Sequence, residues 1–273
     1  MLNTTNAFEK LLDWTSGKKR RKIALGYGHQ VRLILQIPRV GGTLFSRILG
    51  CDPSVLLLSE VHPSLDGADI RKQLEAGSLH LGGSFERAGY VELISRLMKS
   101  DNRTLIVRDH THKNFTLASG NSYELESLDV LEAAGFEVLP ITLVRHPADQ
   151  YLSCLSREGM VKYMTIDHFC KGYVQFANKT GAIEHVRYED VTTYPHQTMQ
   201  KVASVLRTDF IPESISRFSE NHGVSGDRDQ PSRGYDLSEI QTLRRRSGFD
   251  EVLEEMGKNR DLREICDRFG YTL

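Results

Sequence analysis

The chain has 273 residues, of which 39% are apolar and 26% charged, with a formal net charge of −1. That length suits one large domain or two small ones with a sizeable core, and the near-neutral balance excludes a global field that would draw in nucleic acid. No run approaches the roughly 18 to 20 apolar residues of a membrane span. The four cysteines, Cys51, Cys154, Cys170 and Cys266, lie far apart without metal-ligand spacing, and read as buried reduced thiols of a cytoplasmic protein.

In chain order, Leu2, Phe8, Leu11, Leu12 and Trp14 predict a short amphipathic helix, and acids within this pattern argue against a signal peptide. Residues 1–28 are therefore read as a helical extension, with the basic run Lys18–Lys22 as a solvated connection. "QVRLILQI" (30–37) predicts a buried strand and "TLFSRILG" the helix after it. "SVLLLSE" (54–60) is another apolar run ending in polar residues, and helical patterns follow at 67–77 and 86–100. "RTLIVRDH" (103–110) predicts a strand ending in charge, and 122–134 a helix with Gly135 as its C-cap. "FEVLPITLVRHP" (136–147) is a strand in which Pro140 implies an irregular or edge start. Helices are expected at 148–158 and 166–178, a last short strand at 182–191, and a helix at 194–207. Residues 219–236 form a long loop rich in glycine and charge, and helices close the chain over 251–273.

Strands alternating with helices predict an α/β fold, a single domain with its core over 30–250 and a mostly parallel central sheet flanked by helices on both faces. Ligands of such sheets sit beyond the carboxyl ends of the strands. Four of these ends carry unusual polar residues: Arg39, Glu60, Arg108 with His110, and Arg145.

"PRVGGTLFSRIL" joins a strand to a helix through two glycines. A helix N-terminus offers N–H groups and a positive dipole end to an anion, and Gly41 and Gly42 let the backbone approach closely. Arg39 adds a permanent charge, and Thr43 could cap the helix or donate its hydroxyl. The lysine and hydroxyl residue that end a nucleoside-triphosphate loop are missing, since Leu44 and Phe45 follow the threonine. Unless Asp109 serves, no strand ends in an aspartate for a metal, so this loop suits a phosphate that carries no metal.

These residues resemble the 5′-phosphosulfate loop of sulfotransferases, whose bacterial members commonly read Pro-Arg-Ser-Gly-Thr/Ser-Thr-Leu-Leu. Val40 and Gly42 depart from that pattern, so backbone N–H groups from Val40 to Leu44 would replace a side-chain donor. "LVRHPADQYLSCLSR" is similar to the family's 3′-phosphate motif, with Arg145 and Ser153 at the motif's spacing. "HVRYEDV" resembles a third segment that would bring Tyr188 near an adenine, and "NHGVSGDRDQPSRG" resembles a late loop with Arg228 or Arg233 and Gly234 as candidates. The resemblance runs over about residues 30 to 250. It implies a sulfotransferase with a phosphate-loop-like architecture, taking 3′-phosphoadenosine 5′-phosphosulfate (PAPS) as co-substrate without a metal.

Two residues compete for the base that deprotonates the acceptor. His110 stands where cytosolic members of the family place a histidine, and Glu60 where protein-tyrosine members place a glutamate. His62 and His112 are outside candidates, and Arg108 and Arg39 would support the chemistry. A plain structural reading pairs Glu60 with Arg108 in a salt bridge. His110-x-His112 also has metal-ligand spacing, but further ligands at suitable strand ends are not found. The acceptor would be a small molecule, carbohydrate or lipid rather than nucleic acid, met by the segments 61–100 and 155–180. A nucleotide or small-molecule kinase and a non-catalytic nucleotide-binding protein are the alternatives.

Overall fold

A computed structural model describes residues 30–64, 89–118, 120–221, 224, 240–242 and 244–273. The N-terminal extension, the basic run, the helical pattern at 67–77 and the late loop with Arg228, Arg233 and Gly234 lie outside the described residues.

Among the described residues five strands make one sheet: β1 (Gln30–Leu35), β2 (Val55–Val61), β3 (Thr104–Asp109), β4 (Glu137–Val144) and β5 (His185–Arg187), in the order β2-β3-β1-β4-β5. Every pairing is parallel. Leu33, Ile34 and Leu35 are consecutive and fully buried, so both faces of the central strand are covered. The chain leaves β1 through α1 (Gly42–Leu49) to the edge strand β2, then returns through α2 (Tyr90–Ser100) to β3 beside β1. After α3 (His112–Phe115) and α4 (Glu126–Ala133) it crosses to β4 on the other side of β1. The direction of travel reverses about β1, and in open parallel sheets ligands bind beyond the strand ends at such a point.

On the β4 side follow α5 (Pro147–Leu155), α6 (Glu158–Val161) and α7 (Ile166–Lys179), then α8 (Tyr188–Thr193) and α9 (Pro195–Leu206) around β5. A short α10 (Ser214–Arg217), α11 (Phe249–Met256) and α12 (Arg260–Phe269) complete the described elements. One apolar core runs through them from Val31 to Tyr271.

Most elements stand where the sequence puts them, with trimmed ends. Pro140 is tolerated because β5 pairs only with Thr142–Val144 of β4, so the outer edge is open where the missing N–H lies. Gly135 takes a left-handed φ of 90° immediately after α4, as a helix-ending glycine should. The strand expected over 182–191 is only His185–Arg187, and Tyr188 opens a helix instead. Glu189 and Asp190 in its first turn favour the positive dipole end, and Arg187 binds Asp190 through two hydrogen bonds of 2.9 and 2.7 Å. All four cysteines are free; Cys154, Cys170 and Cys266 are buried, but Cys51 is only half-buried. Among the described residues no helix is long and apolar enough to cross a membrane.

Candidate functional site

The loop from β1 to α1 bends through two left-handed residues, Arg39 at φ 69° and Gly41 at φ 90°. The Gln150 side-chain amide holds it by donating to the Pro38 carbonyl at 2.6 Å. Val40 turns its side chain into the core, so it can serve a ligand only through its backbone. A Cβ at Gly41 would run into the Tyr188 ring, and one at Gly42 would strike the Gln36 side chain and the Arg108 guanidinium. The glycines thus let the protein's own groups close on the loop. Thr43 does not cap α1: Gly41 occupies the N-cap position, with no side-chain cap. Thr43 lies inside the first turn, past the place from which a hydroxyl reaches back to the orphan N–H groups. Those of Gly42, Thr43 and Leu44 have no intrahelical acceptor, which is the condition for binding an anion.

Beyond this loop stands Arg145, at the end of β4 and 7% exposed. It donates to the Arg39 carbonyl at 3.2 Å and stacks on the Tyr188 ring at 4.7 Å. Its Nε is buried without a hydrogen-bond partner, and among the described residues no carboxylate pairs with it. Ser153 accepts from Arg39 Nε at 3.2 Å and lies 3.5 Å from Arg246 Nη2. Burial pushes the neighbouring Cys154 thiol up to about 12, against the opposing pull of Arg39, Arg145 and Arg246. Arg39 and Arg246 thus reach the Ser153 hydroxyl, and all three guanidinium charges act on Cys154 beside it. Arg246 was not foreseen; its only sequence signal is the run Arg244–Arg246 just before α11.

On the other side of the loop, β2 carries a bulge. Ser59 pairs with Arg108 and Val61 with Asp109, leaving Glu60 unmatched in a left-handed conformation at φ 58°. The bulge re-aims this side chain at the sheet edge. Glu60 meets Arg108 at 3.4 Å, the ion pair that the plain structural reading expects. Arg108 is 1% exposed and also bonds the Ser59 hydroxyl. Burial lowers the Arg39 pKa, while Cys154 and then Glu60 raise it, so Glu60 acts on the loop arginine as well.

Burial, reinforced by Lys113, Arg108 and His62, pushes His110 down to about 4. His112 falls to about 3, mainly through burial and next through His110, whose ring lies 3.8 Å away edge to face. His62 is buried, with Nδ1 2.8 Å from the Ser64 hydroxyl and Nε2 3.6 Å from Glu126. Asp109 is buried too, and accepts from Ser127 at 2.6 Å and Thr111 at 2.8 Å. It braces the β3 turn. Among the described residues no group of three histidine, cysteine or acidic side chains could hold a metal ion.

Along the carboxyl edge of the sheet the order is therefore Glu60 on β2, Arg108 near the end of β3 with His110 just after it, the glycine loop after β1, Arg145 after β4 and Tyr188 after β5. Strands about 4.8 Å apart spread these groups over roughly 19 Å. No family model matches the sequence, and no curated protein matches it. Among solved structures, the sulfotransferase domain of the Synechococcus PCC 7002 olefin synthase superposes with a TM-score of 0.59 at 17% identity, covering 94% of this chain and 100% of that one. The fold is that of a sulfotransferase domain. The sulfotransferase domain from the curacin biosynthetic pathway superposes on 89% of this chain and 98% of its own, with a TM-score of 0.52 at 18% identity. Within this sulfotransferase fold the loop of Arg39, Gly41 and Gly42 lies between Arg145, Ser153 and Tyr188 on one side and Glu60, Arg108 and His110 on the other.

Proposed function

We propose that the chain transfers a sulfonate group from PAPS to a hydroxyl or amine acceptor. The observation that carries this reading is Arg145: a buried, permanently charged guanidinium without a carboxylate partner among the described residues, one loop away from a helix N-terminus. Burying a charge is costly unless something compensates it. A dianionic phosphate monoester held by Arg145 and Ser153 would do so, with Arg246 behind it.

In this reading the loop from Arg39 to Leu44 holds the 5′ phosphosulfate. Its N–H groups and Arg39 face the charge that grows on the leaving phosphate. The bond between sulfur and the phosphate oxygen breaks as a new bond to the acceptor oxygen or nitrogen forms. The acceptor proton passes to Glu60, and adenosine 3′,5′-bisphosphate leaves. Glu60 suits the base because its side chain is 31% exposed and fixed by Arg108. His110 is neutral at pH 7, and its depressed basicity suits it better to orienting the acceptor. No metal is needed, and the chain would act in the cytoplasm on a small-molecule, carbohydrate or lipid acceptor.

The test is transfer of radiolabelled sulfonate from PAPS to a panel of sugars, lipids, phenols and amines in the presence of EDTA. Transfer is expected, and Glu60→Gln should reduce kcat by about 100- to 10,000-fold. Tight binding of adenosine 3′,5′-bisphosphate with no transfer to any acceptor would favour a non-catalytic binding protein. Turnover of ATP with Mg²⁺ would favour a kinase.

A further inference from the structure

A second polar hub lies at the start of α5. Its centre is His146, the residue after Arg145. The Ala148 N–H donates to His146 Nδ1 at 3.3 Å, so this imidazole is the N-cap of α5. With Nδ1 accepting, the ring proton is on Nε2, which donates to the Thr272 carbonyl at 3.1 Å. The His146 backbone N–H donates to Glu189 Oε1 at 3.0 Å, and the Tyr271 hydroxyl donates to Glu189 Oε2 at 2.7 Å. Burial first, and Glu189 next, raise the Tyr271 pKa well above its ordinary value, so the phenol remains a donor. The imidazole is flanked by the rings of Phe249 and Tyr271, with centroids 5.1 and 5.3 Å away.

Arg145, Ser153, Tyr188 and Arg246 all stand on segments tied to this hub, whereas the Arg39 loop is not. Arg145 precedes His146. Ser153 rides on α5, whose first turn His146 caps. Tyr188 precedes Glu189. Arg246 is held through Phe249, whose N–H donates to the Arg246 carbonyl at 3.2 Å while its ring packs on His146. The segment after α12 is itself anchored, since Arg187 Nη1 donates to the Gly270 carbonyl at 3.1 Å.

We infer that His146, Glu189 and Tyr271 are positioning residues that set the mutual geometry of Arg145, Ser153 and Arg246, and with it the recognition of the nucleotide's 3′ phosphate. This inference rests on the PAPS reading above. Two variants test it. Tyr271→Phe removes one hydroxyl and leaves the ring. His146→Asn keeps a short side-chain acceptor for the Ala148 N–H and cuts the tie to Thr272. The readout is the affinity for adenosine 3′,5′-bisphosphate divided by that for AMP, which has no 3′ phosphate. Each variant should lower this preference by about fivefold, with AMP affinity unchanged, as expected for losing one hydrogen bond that acts on the 3′ site alone. A lower melting temperature with the full preference retained would show the hub to be merely structural, and would overturn the inference while the PAPS reading stands. A wild-type protein with no preference for the bisphosphate would overturn the PAPS reading, and the inference with it.

Discussion

Replacing Arg145 with methionine separates a residue kept for a ligand from one kept for the fold. The side chain is 7% exposed; among the described residues its polar contacts are one hydrogen bond to the Arg39 carbonyl and the Tyr188 ring. Methionine fills much of the same volume and removes a buried charge that has no carboxylate partner among the described residues. Loss and gain oppose each other, so stability should change by no more than about 1 kcal/mol, a shift of roughly 2–4 °C in melting temperature. A charge-assisted hydrogen bond to phosphate is worth about 1.5–3 kcal/mol, which converts to roughly a 10- to 150-fold weaker affinity. Calorimetric titration should show that loss for adenosine 3′,5′-bisphosphate and none for AMP. In steady-state assays the KM for PAPS should rise by a similar factor while kcat changes little, because the 3′ phosphate is remote from the bond that breaks. A fall of more than about 10 °C in melting temperature with unchanged affinity would refute this reasoning and make Arg145 a structural residue.

Further outcomes follow from neighbouring residues. Arg246→Ala should weaken bisphosphate binding about 3- to 10-fold, less than the Arg145 change, because its contact is a longer 3.5 Å approach to Ser153; isothermal titration reads this directly. Gly41→Ala adds a Cβ that collides with the Tyr188 ring at a φ of 90°, where an L residue costs about 1–2 kcal/mol before any clash. A thermal melt should show lower stability, and bisphosphate binding should be lost. His110 has its pKa lowered from 6.5 to about 4, so the unfolded chain binds the proton more readily. Its contribution is full above pH 6.5 and declines as the pH falls toward 4, a loss of about 1–2 kcal/mol by pH 5. Urea titrations at pH 7 and 5 should show His110→Asn losing less stability than the wild type over that interval.

Much of this site is local in sequence, and that part was legible. Arg39 with Gly41 and Gly42 sits on one strand-to-helix turn, and Arg145 with Ser153, at helical spacing, on the turn after β4. Alternating elements were enough to bring these turns to one edge of a parallel sheet. What remained hidden is tertiary or conformational. Glu60 was a polar strand end in the sequence, but its left-handed bulge depends on the register between β2 and β3. Arg246 lies 93 residues from Ser153 in a polar segment without periodicity, so nothing local marks its destination. Tyr188 looked like part of a strand because Val186 and Val191 are β-branched, whereas Glu189 and Asp190 make a better helix start. The hub formed by His146, Glu189 and Tyr271 joins segments that only the folded chain brings together.

The central claim is that the site reads a nucleotide with a 3′ phosphate, and a thermal-shift titration with adenosine 3′,5′-bisphosphate tests it most directly, with AMP and ATP–Mg²⁺ as controls. A ligand that binds only the native state raises the melting temperature by mass action, by roughly 5 °C at a hundredfold excess over Kd. Stabilisation by the bisphosphate but not by AMP is the predicted result. Stabilisation by ATP–Mg²⁺ alone would contradict the account and turn the glycine loop into a nucleoside-triphosphate site.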